Sequence, residues 1–191
     1  MKGVYVFLAE GFEEIEALTA VDLLRRGGVE VNTVSVPGGR AVTGAHGISV
    51  VADMEFTDFQ NVSKGVSGPS DAMVFPGGLP GATNLAAHGP LMEVLREHFA
   101  AGGLVAAICA APSVVLPALG QALEGYAYTC YGGNDAGLNA LGAVFAGGPA
   151  VVSGNLISGR GPGCAVEFAL SILEALKGGQ KASAVRSALL I

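Results

Sequence analysis

The sequence predicts an α/β protein, a doubly wound sandwich with a mostly parallel sheet and helices on both faces. Short apolar runs alternate with helical stretches along the whole chain, and glycine pairs or Pro-Gly steps close many of them. The first third already forms a βαβ unit, which forces a parallel, right-handed crossover. A chain of 191 residues leaves little room for a second core, so one domain over 1–191 is expected. The composition agrees: 51% apolar and 14% charged residues exclude a disordered chain, and 30 glycines without a tryptophan suit tight turns and close backbone packing.

Lys2 to Leu8 reads as the first strand, and the stretch from about Glu13 to Arg26, stopped by Gly27-Gly28, as the first helix. Val29 to Val36 is a β-branched strand closed by Pro37-Gly38-Gly39. Ala41 to Val51, broken near Gly44 and Gly47, suits a hairpin or a sheet-edge excursion, and Asp53 to Ser70 a loop with a short helix. Ala72 to Phe75 is a buried strand with a tight turn at Pro76-Gly77-Gly78, Leu91 to Ala100 a helix, and Leu104 to Ile108 the next strand. Pro112 to Leu119 reads as helical. Tyr126 to Cys130, Ala150 to Val152 and Leu156 to Ser158 read as short strands, Cys164 to Lys177 as an amphipathic helix and Gln180 to Leu190 as a last helix.

A net charge of −6 without any basic run argues against nucleic acid or an anionic membrane as the main partner. The apolar start meets Glu10 too soon for a signal-peptide core, so a soluble, cytoplasmic protein is expected. Three widely spaced cysteines make neither a disulfide framework nor a metal knuckle. No histidine has zinc-ligand spacing with another His or Cys, so no metal site is expected; His98, in a charged helix, is expected at the surface.

In doubly wound sheets the chemistry gathers at the carboxyl ends of the strands. Four groups follow such ends: Glu10 to Glu16, Pro76 to Gly78, Cys109 to Pro112 and Arg160 to Gly163. Cys109, with Ala107 and Ala111 two residues to either side, has the small-x-nucleophile-x-small layout of a nucleophile elbow. A following helix N-terminus favours thiolate and is expected to lower the thiol pKa. Its amides, with those of Gly77-Gly78, suit an oxyanion. The competing reading is a small buried hydrophobe, since free cysteine is commonly buried.

At 3.6 residues per turn Glu16 falls among Phe12, Ile15, Thr19 and Leu23, while Glu13 and Glu14 project to the side and back. Periodicity alone balances an inward Glu16 carboxyl, with raised pKa, against a solvated charge on the first turn. Cys130 in Y-T-C-Y-G-G is placed to reach the same rim, and Cys164 is expected as a packed core thiol.

L-A-E-G-F-E-E-I-E, F-P-G-G, A-A-I-C-A-A-P and S-G-R-G-P-G, in that order and at those separations, resemble the ThiJ/PfpI superfamily, within it the branch of the human Parkinson-disease protein deglycase (DJ-one) and bacterial YajL. The resemblance implies a flavodoxin-like three-layer sandwich, a homodimer, no cofactor, a reactive Cys109 with a protonated Glu16 partner, and Gly78 and Ala110 amides at an oxyanion. It brings Gly77, Cys130, His46, Gly161 and Pro162 to the pocket. Cys130 stands where the human protein has histidine, and His46 where an arginine is common. The protease branch carries histidine directly after its cysteine, where this chain has Ala110. The implied activity is that of a protein deglycase or glutathione-independent glyoxalase acting on methylglyoxal, glyoxal or their amine and thiol adducts, in the oxidative and carbonyl stress response. The alternatives are a redox sensor or stress chaperone acting through Cys109 oxidation, and a plain small-molecule-binding module.

Overall fold

Val4–Leu8 is apolar at every position and buried throughout, as a strand covered on both faces must be, and it forms β1 near the centre of the sheet. The computed structural model describes residues 1–36 and 38–191. The other strands are β2 (Val31–Ser35), β3 (Ala41–Thr43), β4 (Ser49–Val51), β5 (Met54–Glu55), β6 (Ala72–Phe75), β7 (Leu104–Ile108), β8 (Ala127–Tyr128), β9 (Val144–Phe145), β10 (Ala150–Ser153) and β11 (Leu156–Gly159). The helices are α1 (Glu14–Arg26), α2 (Phe56–Val62), α3 (Gly81–Ala87), α4 (Gly89–Ala100), α5 (Ala111–Val114), α6 (Ala136–Ala140), α7 (Ala165–Lys177) and α8 (Gly179–Ala188).

Seven strands make the main sheet in the order β10-β11-β7-β6-β1-β2-β5, parallel except for β10, which runs antiparallel to β11. The alternation along β1 divides the core. Val4, Val6 and Leu8 face α1 and α7 with Val74, Ile108, Phe168 and Leu173, while Tyr5 and Phe7 face α4 with Met73, Phe75, Leu91 and Leu95. Each fully buried large side chain contributes about 1.5–3 kcal/mol. Phe7, stacked on Phe75 at 5.3 Å and edge-on to Phe59 at 5.2 Å, is a single position whose loss to alanine would cost about 3–5 kcal/mol. This is the three-layer, mostly parallel sandwich that the sequence predicts. Among the described residues no helix is long and apolar enough to cross a membrane.

Several elements differ from the sequence reading. Ala41 to Val51 is not one of them: it is a hairpin, one of the two expected alternatives, outside the main sheet and laid over the start of α1 by Gly11 N–H to the Thr43 carbonyl and Ala45 N–H to the Phe12 carbonyl, both 2.8 Å. The loop expected after Asp53 contributes β5 to the sheet edge, and α3 was not anticipated because its glycine- and alanine-rich sequence carries little periodicity. The helix expected over Pro112 to Leu119 is only the short α5, continued by a 3₁₀ stretch at Leu116–Leu123. The strand expected over Tyr126 to Cys130 is confined to β8, paired with β9 away from the main sheet. The turn expected at 37–39 begins on Pro37, which lies outside the described residues.

His98 is a clear reversal. It is fully buried, with Nε2–H donating to the Leu104 carbonyl at 2.9 Å and Nδ1 accepting from Ser67 Oγ at 2.8 Å, and the Met1 amine in turn donates to that Oγ at 2.6 Å. Burial pulls its pKa down, which suits a neutral ring. Gly103 makes room for it, since a Cβ there would sit 2.1 Å from Cε1 of the ring.

Candidate active site

The parallel strands β1, β6, β7 and β11 all end at one rim, and the loops leaving them build the site. Cys109 leaves β7 with φ +64°, the left-handed region that costs a non-glycine residue about 1–2 kcal/mol. Two backbone bonds hold it there: its N–H donates 2.9 Å to the Gly159 carbonyl, and its carbonyl accepts 2.9 Å from Tyr131 N–H. Ala107 and Ala111 are fully buried on either side, which is why the run around the sulfur consists of small residues.

Glu16 reaches the same point from α1 and is 1% exposed. Its Oε2 accepts 2.7 Å from Gly77 N–H, whereas its Oε1 has no hydrogen-bond partner among the described residues. Glu13 fixes the start of the helix: its Oε2 caps Glu16 N–H at 2.7 Å, and its own N–H donates 3.0 Å to the Gly77 carbonyl. Gly77 lies between the thiol and the carboxyl. A Cβ on it would stand 2.7 Å from Cys109 Cβ, 2.9 Å from Glu16 Oε2 and 3.0 Å from Ala110 N, so only glycine lets thiol and carboxyl meet. Gly78, at φ +83°, passes so close to the β1–α1 loop that a Cβ would fall 2.5 Å from Glu13 N.

Burial pushes Glu16 up to about 7, against the opposing pull of hydrogen bonds from Gly77 N–H and Cys109. Burial, and then the charge and hydrogen bonding of Glu16, push the Cys109 thiol up to about 12, while the Ala110 and Gly78 amides pull it down. With Glu16 ionised the direction for Cys109 therefore reverses the sequence expectation: the helix amides do favour thiolate, but desolvation and the neighbouring carboxylate outweigh them. The two groups lose their protons in separate steps, and over a wide pH range the pair carries one negative charge between them.

Glu16, Gly77, Gly78, Cys109 and Ala110 thus come together. His46 does not join them. Its Nδ1 and backbone N–H bond to Glu14 at 2.8 and 2.7 Å, its side chain is exposed, and it lines a recess with Glu13, Ile15, Ile48 and Pro162. Glu14 is pulled below the usual carboxylate range: burial alone would raise it, but the bonds from His46, the helix backbone and Ile48 N–H outweigh that. Its partner raises His46. The helix projection needs correction here, because Ile15 is 57% exposed while Glu13 and Glu14 are buried under the hairpin, which supplies the polar cover that periodicity cannot register. Glu13, Glu14 and His46 bring potential metal-ligand atoms within 4.8 Å of one another, a grouping the histidine spacings did not reveal.

Cys130 is buried under the rim and turned aside, its Sγ donating 2.7 Å to the Gly133 carbonyl, and burial pushes its thiol up. Gly161 lies against the ring of Tyr131. Cys164 is half-buried in the 3₁₀ turn Pro162–Cys164 ahead of α7, where it leaves the core position to Ala165 and Phe168. Sequence reasoning missed Glu13, Glu14 and Tyr131. Glu13 caps α1 although glutamate is not among the usual capping residues, so no capping signal marked it in the sequence.

An elbow cysteine beside a buried carboxyl, on a doubly wound sheet, defines a class of α/β proteins with a thiol-centred site. The sequence model of the DJ-1/PfpI family matches residues 2–175, and the chain belongs to that family. It is 36% identical over 190 residues to protein dj-1beta of Drosophila melanogaster, an alignment covering 100% of this chain and 97% of that protein. It is 32% identical over 176 residues to the glutathione-independent glyoxalase DJR-1.2 of Caenorhabditis elegans, covering 92% and 89% of the two. The solved structure of oxidized Toxoplasma gondii DJ-1 superposes with a TM-score of 0.86 at 34% identity, covering 98% of this chain and 97% of that one.

Proposed function

We propose that the protein is a cysteine-dependent glyoxalase or deglycase acting on small 2-oxoaldehydes, free or as early adducts on amines and thiols. The observation that carries the reading is the asymmetry of Glu16: Oε2 already accepts from Gly77, and Oε1 is buried and unpartnered among the described residues. A lone anionic oxygen there is costly, so Oε1 takes the proton, while the negative charge settles on Cys109 sulfur against the Gly78 and Ala110 amides. The thiolate forms a C–S bond to the aldehyde carbon, and the carbonyl π electrons move to oxygen, held by those amides and then protonated. Glu16, left as carboxylate once its proton has gone to that oxygen, removes the proton on the first carbon and returns it to the adjacent carbon while the hydroxyl proton passes from the first oxygen to the second, which converts the adduct to the thioester of a 2-hydroxy acid. Water cleaves the C–S bond, so aldehyde plus water becomes hydroxy acid and the thiol is restored.

The glyoxalase name of the nematode relative supports this reading. Its test is incubation with methylglyoxal and assay of lactate: loss of turnover in Cys109→Ala and in Glu16→Gln is expected, and unchanged turnover in either overturns the assigned roles. A homodimer in the cytoplasm belongs to the same proposal. Exposed Ile15, Leu18, Ile48 and Val51 offer apolar surface for a second copy, and light scattering at the monomer mass would overturn it.

A second reading, a redox sensor or stress chaperone, draws on the same donors. The Glu16 acid proton and the two amides suit a sulfinate on Cys109, and one relative was solved in an oxidized form. Addition of two oxygens by peroxide at Cys109, sparing Cys130 and Cys164, supports it; indiscriminate oxidation counts against it.

A further inference from the structure

The reactive sulfur has three sides, two of which the proposed chemistry occupies: the Gly78 and Ala110 amides on the oxygen and Glu16 on the moving proton. Beside the elbow on the same rim stand Gly159, whose carbonyl accepts the Cys109 N–H, and Tyr131, whose ring neighbours Gly161, and this is the side left for a substituent on the second carbon of the substrate. Tyr131 is 69% exposed, yet its backbone is held by consecutive bonds. Its N–H donates to the Cys109 carbonyl at 2.9 Å, and Thr129, two residues before, donates N–H to the buried Ser158 Oγ at 2.9 Å and Oγ1–H to the Gly148 carbonyl at 3.2 Å. The ring borders Gly161, where a Cβ would stand 3.4 Å from Cδ2 and 4.0 Å from Cε2, so the absence of a side chain there lets the edge of the ring approach the backbone.

We infer that Tyr131 is a specificity-determining residue, an aromatic wall at the mouth of the Cys109 site that favours 2-oxoaldehydes carrying an aryl substituent over methylglyoxal. The inference rests on the glyoxalase reading for its substrate class and on the backbone tethers for its geometry. Ring-on-ring contact is worth a few-fold to about tenfold in rate.

The experiment compares kcat/KM for phenylglyoxal and methylglyoxal in the unaltered protein, Tyr131→Phe and Tyr131→Ala. The phenylglyoxal-to-methylglyoxal ratio is expected to fall about 3- to 10-fold in Tyr131→Ala and to hold in Tyr131→Phe. In parallel, Cys109 is alkylated with iodoacetamide and with its N-phenyl analogue, and the modified peptide is followed by mass. The aryl preference is expected to fall in Tyr131→Ala there too. An unchanged alkylation ratio in Tyr131→Ala overturns the inference, whatever the turnover. Absence of turnover of either aldehyde by the unaltered protein, with the alkylation ratio still shifted, overturns the glyoxalase reading and leaves the aromatic wall standing.

Discussion

The site makes its sharpest commitment about where the single negative charge of the Cys109–Glu16 pair resides. Burial pushes Glu16 up to about 7 and, with Glu16 ionised beside it, Cys109 up to about 12. If the first proton leaves sulfur, iodoacetamide reacts at Cys109 with a midpoint below the ordinary thiol value, and the thiol is already nucleophilic at pH 8. If it leaves Glu16, the thiolate appears only near the upper value, and its fraction at pH 8 is about 10⁻⁴. The bonds favour sulfur, because two amides face it whereas the carboxylate has one N–H on Oε2 and none on Oε1 among the described residues. Glu16→Gln then gives the sign. Replacing an acid O–H donor to thiolate by a neutral amide N–H loses about 1–2 kcal/mol, so the alkylation midpoint rises by about one unit. Were the charge on Glu16, removing it would lower the thiol pKa instead. The assay is the second-order alkylation rate from pH 5 to 11, read at the Cys109 peptide. A wild-type midpoint above 9, or a downward shift in Glu16→Gln, refutes the placement.

Gly77→Ala, which drives a methyl into Cys109 Cβ and Glu16 Oε2, should destabilise by about 1–3 kcal/mol and cut alkylation at pH 7 at least tenfold; chemical denaturation with the same assay checks both. His98→Ala removes a buried ring and leaves the Leu104 carbonyl and Ser67 hydroxyl short of a partner, at about 2–4 kcal/mol, so calorimetry should show Tm lower by roughly 5–15 °C with Cys109 alkylation unchanged. Glu14 raises the His46 pKa, so the charged contribution of the pair is full below the ordinary histidine value near 6.5 and is lost as pH rises through the raised one. The Tm gap between wild type and His46→Ala should therefore be larger at pH 5.5 than at 8.5, and an equal gap at both refutes the ion pair.

How far the sequence could be read follows from the distance over which each residue acts. The strands β1, β6 and β7 were legible because burial on both faces demands continuous apolar runs, and the elbow was legible because a sharp turn demands small neighbours within two positions. These are local demands, and local sequence expresses them. The burial of Glu14 and His98 was not legible, since each is satisfied by partners outside its own helix: the hairpin over α1 for the glutamate, and Ser67 and the Leu104 carbonyl for the histidine. A polar residue signals exposure until its partner is known, and the partners of Glu14 are 32 and 34 positions away. The upward push on the thiol beside an ionised Glu16 was hidden for the same reason. Helix amides next in sequence argued for a low value, but the carboxyl that governs the sulfur comes from α1, and the glycine that brings it close comes from the loop after β6. Gly77 is thus the residue where local and remote demands coincide: written as a turn in the sequence, it is in the fold the gap across which Glu16 and Cys109 meet.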